Sequence, residues 1–591
     1  MWRATIRAHL QRFIGGGLHD PLRNLPLDGA GKARARSGNP HSRIRTLLIA
    51  LVRAWVPPAT RASFPVSHSL AGCNQTVGGC SAASRSLGGS SRAAFARLPA
   101  SLAPAPIRAM VVGVGSALVL AAVAQPVFAQ GDANAGKAVY ELRCAGCHGV
   151  KGDGKGPAAE VLLPRPRDFT SGIYKIRTTE NKTPADRDLF RIITEGMPGT
   201  SMPGWGVLPE RDRWNLVAYI KTFAGDKLKE PPKKLELPKE VSSSEASIKR
   251  GREMYEAIEC HKCHGTEGRA DGPSRPELKD EWGFPVAPAN LAKRWNFRGG
   301  RSRTDIATRI ANGVLGTPMP AFLEAVEKPE DIWHLTNFIM SLGPDAPRYA
   351  TLVTVTAVRE AISDDPDAEM WKKITPNNIP LMGQVIIDPR NFNPAIDLVS
   401  VRAVYNDTEI AFHLTWDDPS HTTKGDGKTT FPDAIAVQFP PQITADPERP
   451  YFLMGDDSQA VYLLRWVADK GVSEASANGP TKIAPIKGGE ATGKVVYANG
   501  QYRLVMKRPL VAQGTERPTF YHALFTPVAF QAWDGGAGEA GPKMSLTSWY
   551  YLRLEEPASR RKFVIPPVVA LLTLAAMVLI VRAARSRANN T

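Results

Sequence analysis

The motif Cys-x-x-Cys-His occurs twice in this chain of 591 residues, and each copy is followed by Met-Pro at almost the same distance. The first copy ends at His148, 54 residues before Met202, and the second ends at His264, 55 residues before Met319. Two thiols at this spacing bond the vinyl groups of a haem, and the adjacent histidine ligates its iron. A methionine sulfur can close the remaining axial position. The pattern predicts two haem c groups and an electron-transfer function.

A zinc site is the main alternative for each motif, because Cys-x-x-Cys also binds zinc or acts as a redox dithiol. Zinc would need a second ligand pair near each motif, and no other cysteine lies near either one. A repeated Met-Pro also has no role in a zinc site. The predicted haem attachment residues are therefore Cys144, Cys147, Cys260 and Cys263, and the predicted iron ligands are His148, Met202, His264 and Met319.

The axial methionine of the first site has a rival, because Met197 is also followed by proline. The repeat favours Met202, since the segment 200–203 (Thr-Ser-Met-Pro) aligns with the segment 317–320 (Thr-Pro-Met-Pro). Met202 is the predicted ligand.

Similarity between the two copies continues beyond the motifs, as expected for an internal repeat. The two histidines are 116 residues apart, Tyr140 matches Tyr255, and Trp214 matches Trp333 in a helical pattern near the end of each copy. These features resemble class I cytochrome c domains, which are small all-α folds with a His/Met-ligated haem. The resemblance covers residues 131–224 and 244–343, joined by a linker over 225–243 that is rich in proline and charge.

The strongly basic composition is confined to the two ends of the chain. Of the formal charge of +17, +13 lies in residues 1–108 and +6 lies after residue 557, so the remainder carries −2. A nearly neutral central region does not favour a polyanion partner. No nucleic-acid binding is predicted.

The N-terminal region has the composition of a disordered extension followed by an export signal. Residues 1–109 are rich in arginine, serine, glycine and proline, and are predicted to be disordered or to precede the true start. Residues 110–129 form an apolar stretch ending in Val-Phe-Ala, typical of a signal peptide with its cleavage site. Cys73 and Cys80 fall in the extension and receive no role.

Residues 563–581 form an uncharged run of 19 residues near the other end. At about 1.5 Å per residue such a helix just crosses a hydrocarbon core of about 30 Å. The run is predicted to be a transmembrane helix with a cytoplasmic tail over 582–591. The signal peptide then places the haem domains on the periplasmic side of the cytoplasmic membrane, held by this single pass.

Between residues 350 and 556 the hydrophobic period changes from helical to strand-like. Apolar residues alternate with polar or small ones around Phe412, Val437 and Leu504, and Gly, Pro, Asn and Asp clusters separate the runs. Short alternating strands of this kind favour an antiparallel β-sandwich. The overall expectation is a multidomain protein with two all-α domains, one β-sandwich and one C-terminal helix.

Five segments of this region resemble the haem b-binding gamma subunit of ethylbenzene dehydrogenase and its relatives, which include gamma subunits of selenate reductase, chlorate reductase and dimethylsulfide dehydrogenase and similar subunits of nitrite oxidoreductase. The segments are Val401–Tyr405, Phe412–Asp418, Asp433–Phe439, Tyr451–Asp456 and Val528–Gly535. The resemblance implies one haem b held between a methionine and a lysine. The matching positions are Met454 and Lys543.

Lysine ligates iron only as the neutral amine, and its ordinary pKa is about 10.4. Burial and the Lewis acidity of iron both favour the neutral, coordinated form. His413 and His522 are rival ligands; His413 lies off the apolar strand face, and His522 has no matched partner.

The resemblance implies an electron-transfer subunit that works with a molybdopterin catalytic subunit, an iron-sulfur subunit and a soluble or quinone-linked redox partner. A complex of the nitrite or nitrate type is the favoured member of this group. The chain has no molybdenum, iron-sulfur or nucleophile motif, so no catalytic residue and no substrate turnover alone are predicted.

The alternative is a dihaem cytochrome c with a haem-free, carbohydrate-binding-like docking module. In that case Trp466, Trp533 and Trp549 would form exposed aromatic platforms, although tryptophan is more often buried.

Overall fold

The computed structural model describes residues 131–444, 449–522, 524–556 and 560–589. The predicted signal peptide, the extension before it, Cys73 and Cys80 lie outside the described residues.

The described chain begins with two similar helical modules. The first module (residues 131–228) contains α1 (Ala133–Arg143), α2 (Ala145–His148), α3 (Asp186–Glu195) and α4 (Glu210–Ala224). The second module (residues 244–343) contains α5 (Glu245–Ala257), α6 (His261–His264), α7 (Arg303–Asn312) and α8 (Asp331–Ser341). Short 3₁₀ turns and loops connect the helices, and the same helix order in both modules agrees with the internal repeat seen in the sequence.

Side-chain caps fix where several of these helices begin. The carboxylate of Asp132 accepts a hydrogen bond from the Asn134 amide at 2.8 Å, and Ser244 caps α5 through the Ser247 amide. Such caps satisfy amides that have no partner within the first turn of a helix.

In each module the first helix crosses the last helix at a glycine. A Cβ atom on Gly136 would overlap the Asn215 carbonyl, and one on Gly251 would overlap the His334 carbonyl. The missing side chain therefore lets the backbones of α1 and α4, and of α5 and α8, approach closely. The crossing fixes the end of the first helix, from which the Cys-x-x-Cys-His turn continues.

The third region is a 14-stranded mixed sheet, with the short helix α9 (Glu369–Lys372) between its first two strands. Its strands are β1 (Val353–Ala357), β2 (Asn377–Pro380), β3 (Met382–Gly383), β4 (Leu398–Tyr405), β5 (Glu409–Asp417), β6 (Ala434–Phe439), β7 (Val461–Val467), β8 (Gly471–Ala477), β9 (Ile483–Pro485), β10 (Thr492–Ala498), β11 (Gln501–Pro509), β12 (Thr526–Trp533), β13 (Ser545–Leu546) and β14 (Tyr550–Leu554). The main strand order is β10-β11-β5-β4-β1-β14-β12-β6-β7-β8-β9.

The two halves of this sheet pack face to face around one apolar core. Phe412 of β5 contacts Phe439 of β6 with ring centroids 5.8 Å apart, and Trp416 of β5 contacts Trp466 of β7 at 5.9 Å. Neither pair of strands is hydrogen-bonded together, so these rings bridge two layers. The predicted β region and its alternating inward residues therefore agree with the structure.

The expectation of a purely antiparallel sheet is wrong at β1. This strand pairs in parallel with both β4 and β14, with Val355 opposite Ala403 and Val353 opposite Leu552. Parallel neighbours need long connections, and about 40 residues separate β1 from β4 along the chain. Pairing direction depends on these distant contacts and cannot be read from a local alternation of residues.

The helical modules and the β region contact one another through polar and ionic groups. Arg191 of the first module forms a bidentate pair with Asp305 of the second, with N–O distances of 2.5 and 3.0 Å. Lys293 of the second module lies 2.6 Å from Asp397 of the β region. The described modules are thus held in a defined arrangement rather than joined only by linkers.

The final helix, α10 (Arg560–Ala588), contains a stretch from Val564 to Ala588 that is long and apolar enough to cross a membrane. Its mean hydropathy reaches 2.7, and its apolar side chains are exposed. The sequence-based span of 563–581 falls within this helix.

We expect Gly136→Val to destabilise the first module by at least about 2 kcal/mol, because the added side chain must separate α1 from α4. Ala135→Val is the matched control, since Ala135 is exposed on the same helix. Thermal unfolding of the purified chain measures both variants. Equal melting temperatures for the two variants would contradict the importance of the close crossing.

Candidate haem and electron-transfer sites

Each Cys-x-x-Cys-His motif forms one tight helical turn. The His148 amide donates to the Cys144 carbonyl at 2.9 Å, and the His264 amide donates to the Cys260 carbonyl at the same distance. All four thiols are half-buried. Burial raises the pKa of Cys144 to about 11 and that of Cys260 to about 12. The turn brings two thiols and one imidazole together, as covalent haem attachment needs.

A backbone carbonyl orients each imidazole. Nδ1 of His148 lies 3.0 Å from the Arg167 carbonyl oxygen, and Nδ1 of His264 lies 2.8 Å from the Ala289 carbonyl oxygen. A carbonyl only accepts hydrogen bonds, so the proton must be on Nδ1 and the lone pair on Nε2. Burial lowers the pKa of both histidines, which favours this neutral form. Nε2 could therefore bind iron in each site.

A buried tyrosine holds the residue after each histidine. The Tyr140 hydroxyl donates to the Gly149 carbonyl at 2.8 Å, and the Tyr255 hydroxyl donates to the Gly265 carbonyl at 2.7 Å. The two tyrosines occupy matching positions in the sequence repeat, which alone indicated no role for them. Their position in the repeat was the available signal, whereas the carbonyl that each one contacts could not be deduced.

The loop after each motif folds back over it at a glycine. A Cβ on Gly156 would lie 2.5 Å from the Gly146 carbonyl oxygen, and one on Gly272 would overlap the Lys262 carbonyl. In the second module this loop also holds Ala270 at a φ of +65°, a left-handed conformation that costs a non-glycine residue free energy. The loop is therefore packed closely against the predicted attachment turn in both modules.

The structure places the predicted axial methionines in equivalent loops. The Met197 amide donates to the Met202 carbonyl at 3.0 Å, and the Val314 amide donates to the Met319 carbonyl at 3.1 Å. Met202 therefore corresponds to Met319, while Met197 corresponds to Val314, which cannot ligate iron. This correspondence supports Met202 as the ligand of the first site.

Cationic side chains line the contact between the two helical modules. Arg167 lies 4.3 Å from the centre of the Trp282 ring, and Arg177 donates to the Asn312 side chain at 3.0 Å. Burial lowers the pKa of Arg167 and of Arg309 to about 10, so both stay charged at neutral pH. One buried Nη1 atom on each of Arg167, Arg177 and Arg309 has no hydrogen-bond partner among the described residues. Such atoms need hydrogen-bond acceptors. None of these three arginines was among the site residues predicted from the sequence.

The candidate haem b ligands lie on the outer face of one layer of the β region. Met454 is fully buried at a φ of +61° and packs in an apolar cluster that includes Met544. Lys543 directly precedes Met544, is half-buried, and donates from Nζ to the Ala537 carbonyl at 3.2 Å. The structure thus brings the segments of both predicted ligands to the same cluster.

The rival histidines lie elsewhere. His413 is buried against Trp371, with ring centroids 5.2 Å apart, and its Nε2 donates to the Pro366 carbonyl at 2.9 Å. Since that carbonyl accepts, Nε2 carries the proton; burial lowers the pKa of His413 to about 4. His522 is exposed and its ring contacts Tyr405. The partner of His413, Trp371, belongs to a different apolar cluster from Met454.

The tryptophans proposed as exposed platforms do not have that arrangement. Trp466 and Trp533 are buried, with only 4% and 2% of their surface exposed. Trp549 is half-buried, and its ring N–H donates to the Pro450 carbonyl at 2.8 Å. The carbohydrate-binding alternative therefore loses the feature that it required.

The contact between the second module and the β region is electrostatic. Lys293 is 8% exposed and lies 2.6 Å from Asp397 and 3.6 Å from Asp417. Burial alone would lower the pKa of Lys293, but the two carboxylates outweigh burial and raise it. The same lysine holds the pKa of Asp397 below its usual range despite burial. The pair therefore stays ionised and joins the two regions.

Two family models match this chain. The model for cytochrome c oxidase, cbb3-type, subunit III matches residues 131–220 and 246–339, and the model for ethylbenzene dehydrogenase matches residues 368–482. The two matches to the first model coincide with the two helical modules. The match to the second covers strands β2 to β8 and includes Met454, but it ends before Lys543.

Known proteins show the same two similarities. Cytochrome c-554(547) of Halothiobacillus neapolitanus is 34% identical over 16% of this chain and 98% of its own length. A putative respiratory nitrate reductase heme subunit of Haloferax mediterranei is 27% identical over 37% of this chain and 79% of its own length. A solved structure of a reducing HAO-like protein complex from Kuenenia stuttgartiensis is 38% identical, with a TM-score of 0.35, over 36% of this chain and 98% of that chain.

The helical modules with their attachment turns define a haem-binding electron-transfer protein. The chain belongs to the cytochrome c family and carries an ethylbenzene dehydrogenase-type domain in the same polypeptide. The family resemblance predicted from the sequence is confirmed.

We expect Met202→Leu to lower the reduction potential of the first haem by an amount of the order of 100 mV, because a thioether ligand favours ferrous iron. The sulfur-to-iron charge-transfer absorption of that haem should also disappear. Met197→Leu is the matched control and should change neither property. Redox titration followed by optical spectroscopy measures both variants, and an effect of Met197→Leu alone would reverse the ligand assignment.

Proposed function

We propose that this chain is a membrane-anchored, periplasmic electron-transfer subunit with two haem c groups and one haem b. In this proposal it serves a molybdopterin oxidoreductase complex of the nitrite or nitrate type. One observation carries the proposal. Two attachment turns with oriented histidines and one apolar cluster around Met454 lie in modules that contact one another.

The two haem c groups would be attached at Cys144 and Cys147 in the first module and at Cys260 and Cys263 in the second, with His148/Met202 and His264/Met319 as iron ligands. Haem c supplies a one-electron iron couple to each module. The protein contributes the oriented Nε2 atoms, and the contacts of Tyr140 and Tyr255 keep each histidine turn in place.

The haem b would lie against the apolar cluster around Met454. Small side chains from β6 and β8 form much of the sheet surface there, which suits the flat face of a porphyrin; they are Ala434, Ala436, Ala475 and Ala477. Met454 and Lys543 are the proposed ligands. The Nζ atom of Lys543 contacts only a backbone carbonyl among its described hydrogen-bond partners, so no carboxylate competes for it.

The unpartnered arginine atoms between the helical modules suggest where the haem carboxylates point. Buried donors at this contact come from Arg167, Arg177 and Arg309. A haem carries two carboxylates that need such partners. Charge-assisted hydrogen bonds from these arginines would hold haem carboxylates at the contact between the modules. Such anchoring would favour electron transfer between the modules.

The similarity to a respiratory nitrate reductase heme subunit supports a complex with a molybdopterin subunit and an iron-sulfur subunit. The haem b domain would receive or supply electrons on the enzyme side, and the c modules would exchange them with a soluble or quinone-linked partner. The apolar stretch Val564–Ala588 would hold the chain in the membrane, with the haem domains on the periplasmic side. No substrate turnover by the isolated chain is expected.

We expect Met454→Leu to lower the affinity for haem b by at least about tenfold, because it removes an iron ligand while preserving apolar volume. Met544→Leu is the matched control, since this methionine is equally buried in the same cluster. Acid-acetone extraction of each purified variant measures retained haem b. Equal loss in both variants would assign Met454 to packing instead of ligation.

We expect Arg309→Gln to lower the reduction potential of at least one c haem by about 40 mV. A unit charge about 15 Å from the iron, at an effective dielectric constant of about 20, contributes roughly 1 kcal/mol, which equals this shift for a one-electron couple. A nearby cation disfavours the more positive ferric state. Arg211→Gln is the control, because Arg211 is exposed on α4. Unchanged potentials in Arg309→Gln would place the haem carboxylates away from this interface.

A further inference from the structure

Three carboxylates meet inside the β region, at the end that contacts the second helical module. Asp418 follows β5, Asp433 precedes β6, and Asp534 follows β12. One oxygen atom of each lies within 4.8 Å of the others, and their exposures are 0, 0 and 1%. Buried carboxylates are rare unless they are paired or bind a cation.

Asp433 accepts three hydrogen bonds from the protein. Its Oδ1 accepts from the Gly535 amide at 2.8 Å, and its Oδ2 accepts from the Thr422 amide at 2.6 Å and from the Tyr502 hydroxyl at 2.8 Å. These donors fix the carboxylate in one orientation without neutralising its charge.

Asp418 and Asp534 each keep one oxygen without a partner. The Ser420 hydroxyl lies 2.8 Å from Oδ1 of Asp418 and 2.7 Å from Oδ1 of Asp534, and its one proton can be donated to only one of them at a time. Oδ2 of both residues is buried and accepts no hydrogen bond among the described residues. Two buried, unpartnered acceptors therefore lie in the same cluster, and leaving such atoms unsatisfied is costly.

The described residues provide no cationic partner for this cluster. None of the three carboxylates forms an ion pair with a lysine or arginine in the part of the chain that the structure describes. Burial, together with the neighbouring acids, raises the pKa of Asp418 well above its usual range, and burial raises that of Asp433 to about 6. The charges need either protons or a cation.

We propose that Asp418, Asp433 and Asp534 bind one hard divalent cation, and that Ca²⁺ is the ion that fits them best. The available ligands are oxygen atoms only, which Ca²⁺ and Mg²⁺ prefer over softer metals. Mg²⁺ demands a near-ideal octahedral shell and usually keeps several waters, whereas Ca²⁺ accepts irregular oxygen shells and bidentate carboxylates. A fully buried group of three carboxylates therefore suits Ca²⁺ better.

The position of this site gives the cation a structural effect. Asp417, the residue before Asp418, lies on the opposite side of the chain and contacts Asn290 at 2.9 Å and Lys293 at 3.6 Å in the second module. The Asp418 amide also donates to the Gly500 carbonyl, which ties this end of β5 to the adjacent turn. A cation bound by Asp418 would hold the end of β5 that contacts the second haem module.

The test uses the full haem-loaded chain. After treatment with EGTA and dialysis into metal-free buffer, addition of Ca²⁺ should raise the melting temperature. Elemental analysis of the Ca²⁺-treated and desalted protein should give one divalent ion per chain. Tb³⁺ replaces Ca²⁺ and should show luminescence excited through Tyr502, whose hydroxyl bonds Asp433.

Asp418→Asn and Asp534→Asn remove one charge each and should weaken Tb³⁺ binding at least tenfold. Asp469→Asn is the control, because Asp469 is exposed in the turn between β7 and β8 and should leave binding unchanged. If the cluster variants do not fold, the titration of the wild-type chain with Ca²⁺ and Tb³⁺ decides the question. Absence of a bound ion, of Tb³⁺ luminescence and of any Ca²⁺-dependent melting shift would overturn the proposal and leave the cluster to share protons.

Discussion

The close crossing of the first and last helix in each helical module determines where the functional groups lie. Gly136 and Gly251 allow the backbones to approach, and the attachment turn follows directly from the end of the first helix. From that fixed start, Tyr140 and Tyr255 hold the carbonyl after each histidine. The imidazole orientation therefore depends on packing that begins a full helix earlier.

The ion pairs between the modules are partly buried. The Arg191–Asp305 pair joins the two helical modules, and Lys293 with Asp397 joins the second module to the β region. Partly buried pairs of this kind are strongly directional but cost desolvation, so their net contribution to stability is small. Their value lies in fixing the relative positions of the modules, which electron transfer between bound cofactors requires.

The parts of the structure that could be predicted from sequence are those with a short repeat or a local period. The Cys-x-x-Cys-His motifs, the correspondence of Met202 with Met319 and the alternating strands all follow from local patterns. The parallel position of β1 could not be predicted, because it depends on β4 and β14, which lie far along the chain.

Side-chain clusters assembled from distant segments could not be predicted from the sequence either. Asp418, Asp433 and Asp534 lie in three segments that had been quoted only for their family resemblance, and nothing local indicated that they meet. The same holds for Arg167, Arg177 and Arg309, each of which meets groups of the other helical module only when the two modules pack.

The most direct test of the central claim is the haem content of the purified wild-type chain. A pyridine haemochrome spectrum before and after acid-acetone extraction separates covalent haem c from extractable haem b. The proposed function predicts two covalent haems and one extractable haem per chain. Two covalent haems with nothing extractable, in protein prepared without loss of cofactor, would contradict the assignment of Met454 and Lys543 and leave the β region without a haem.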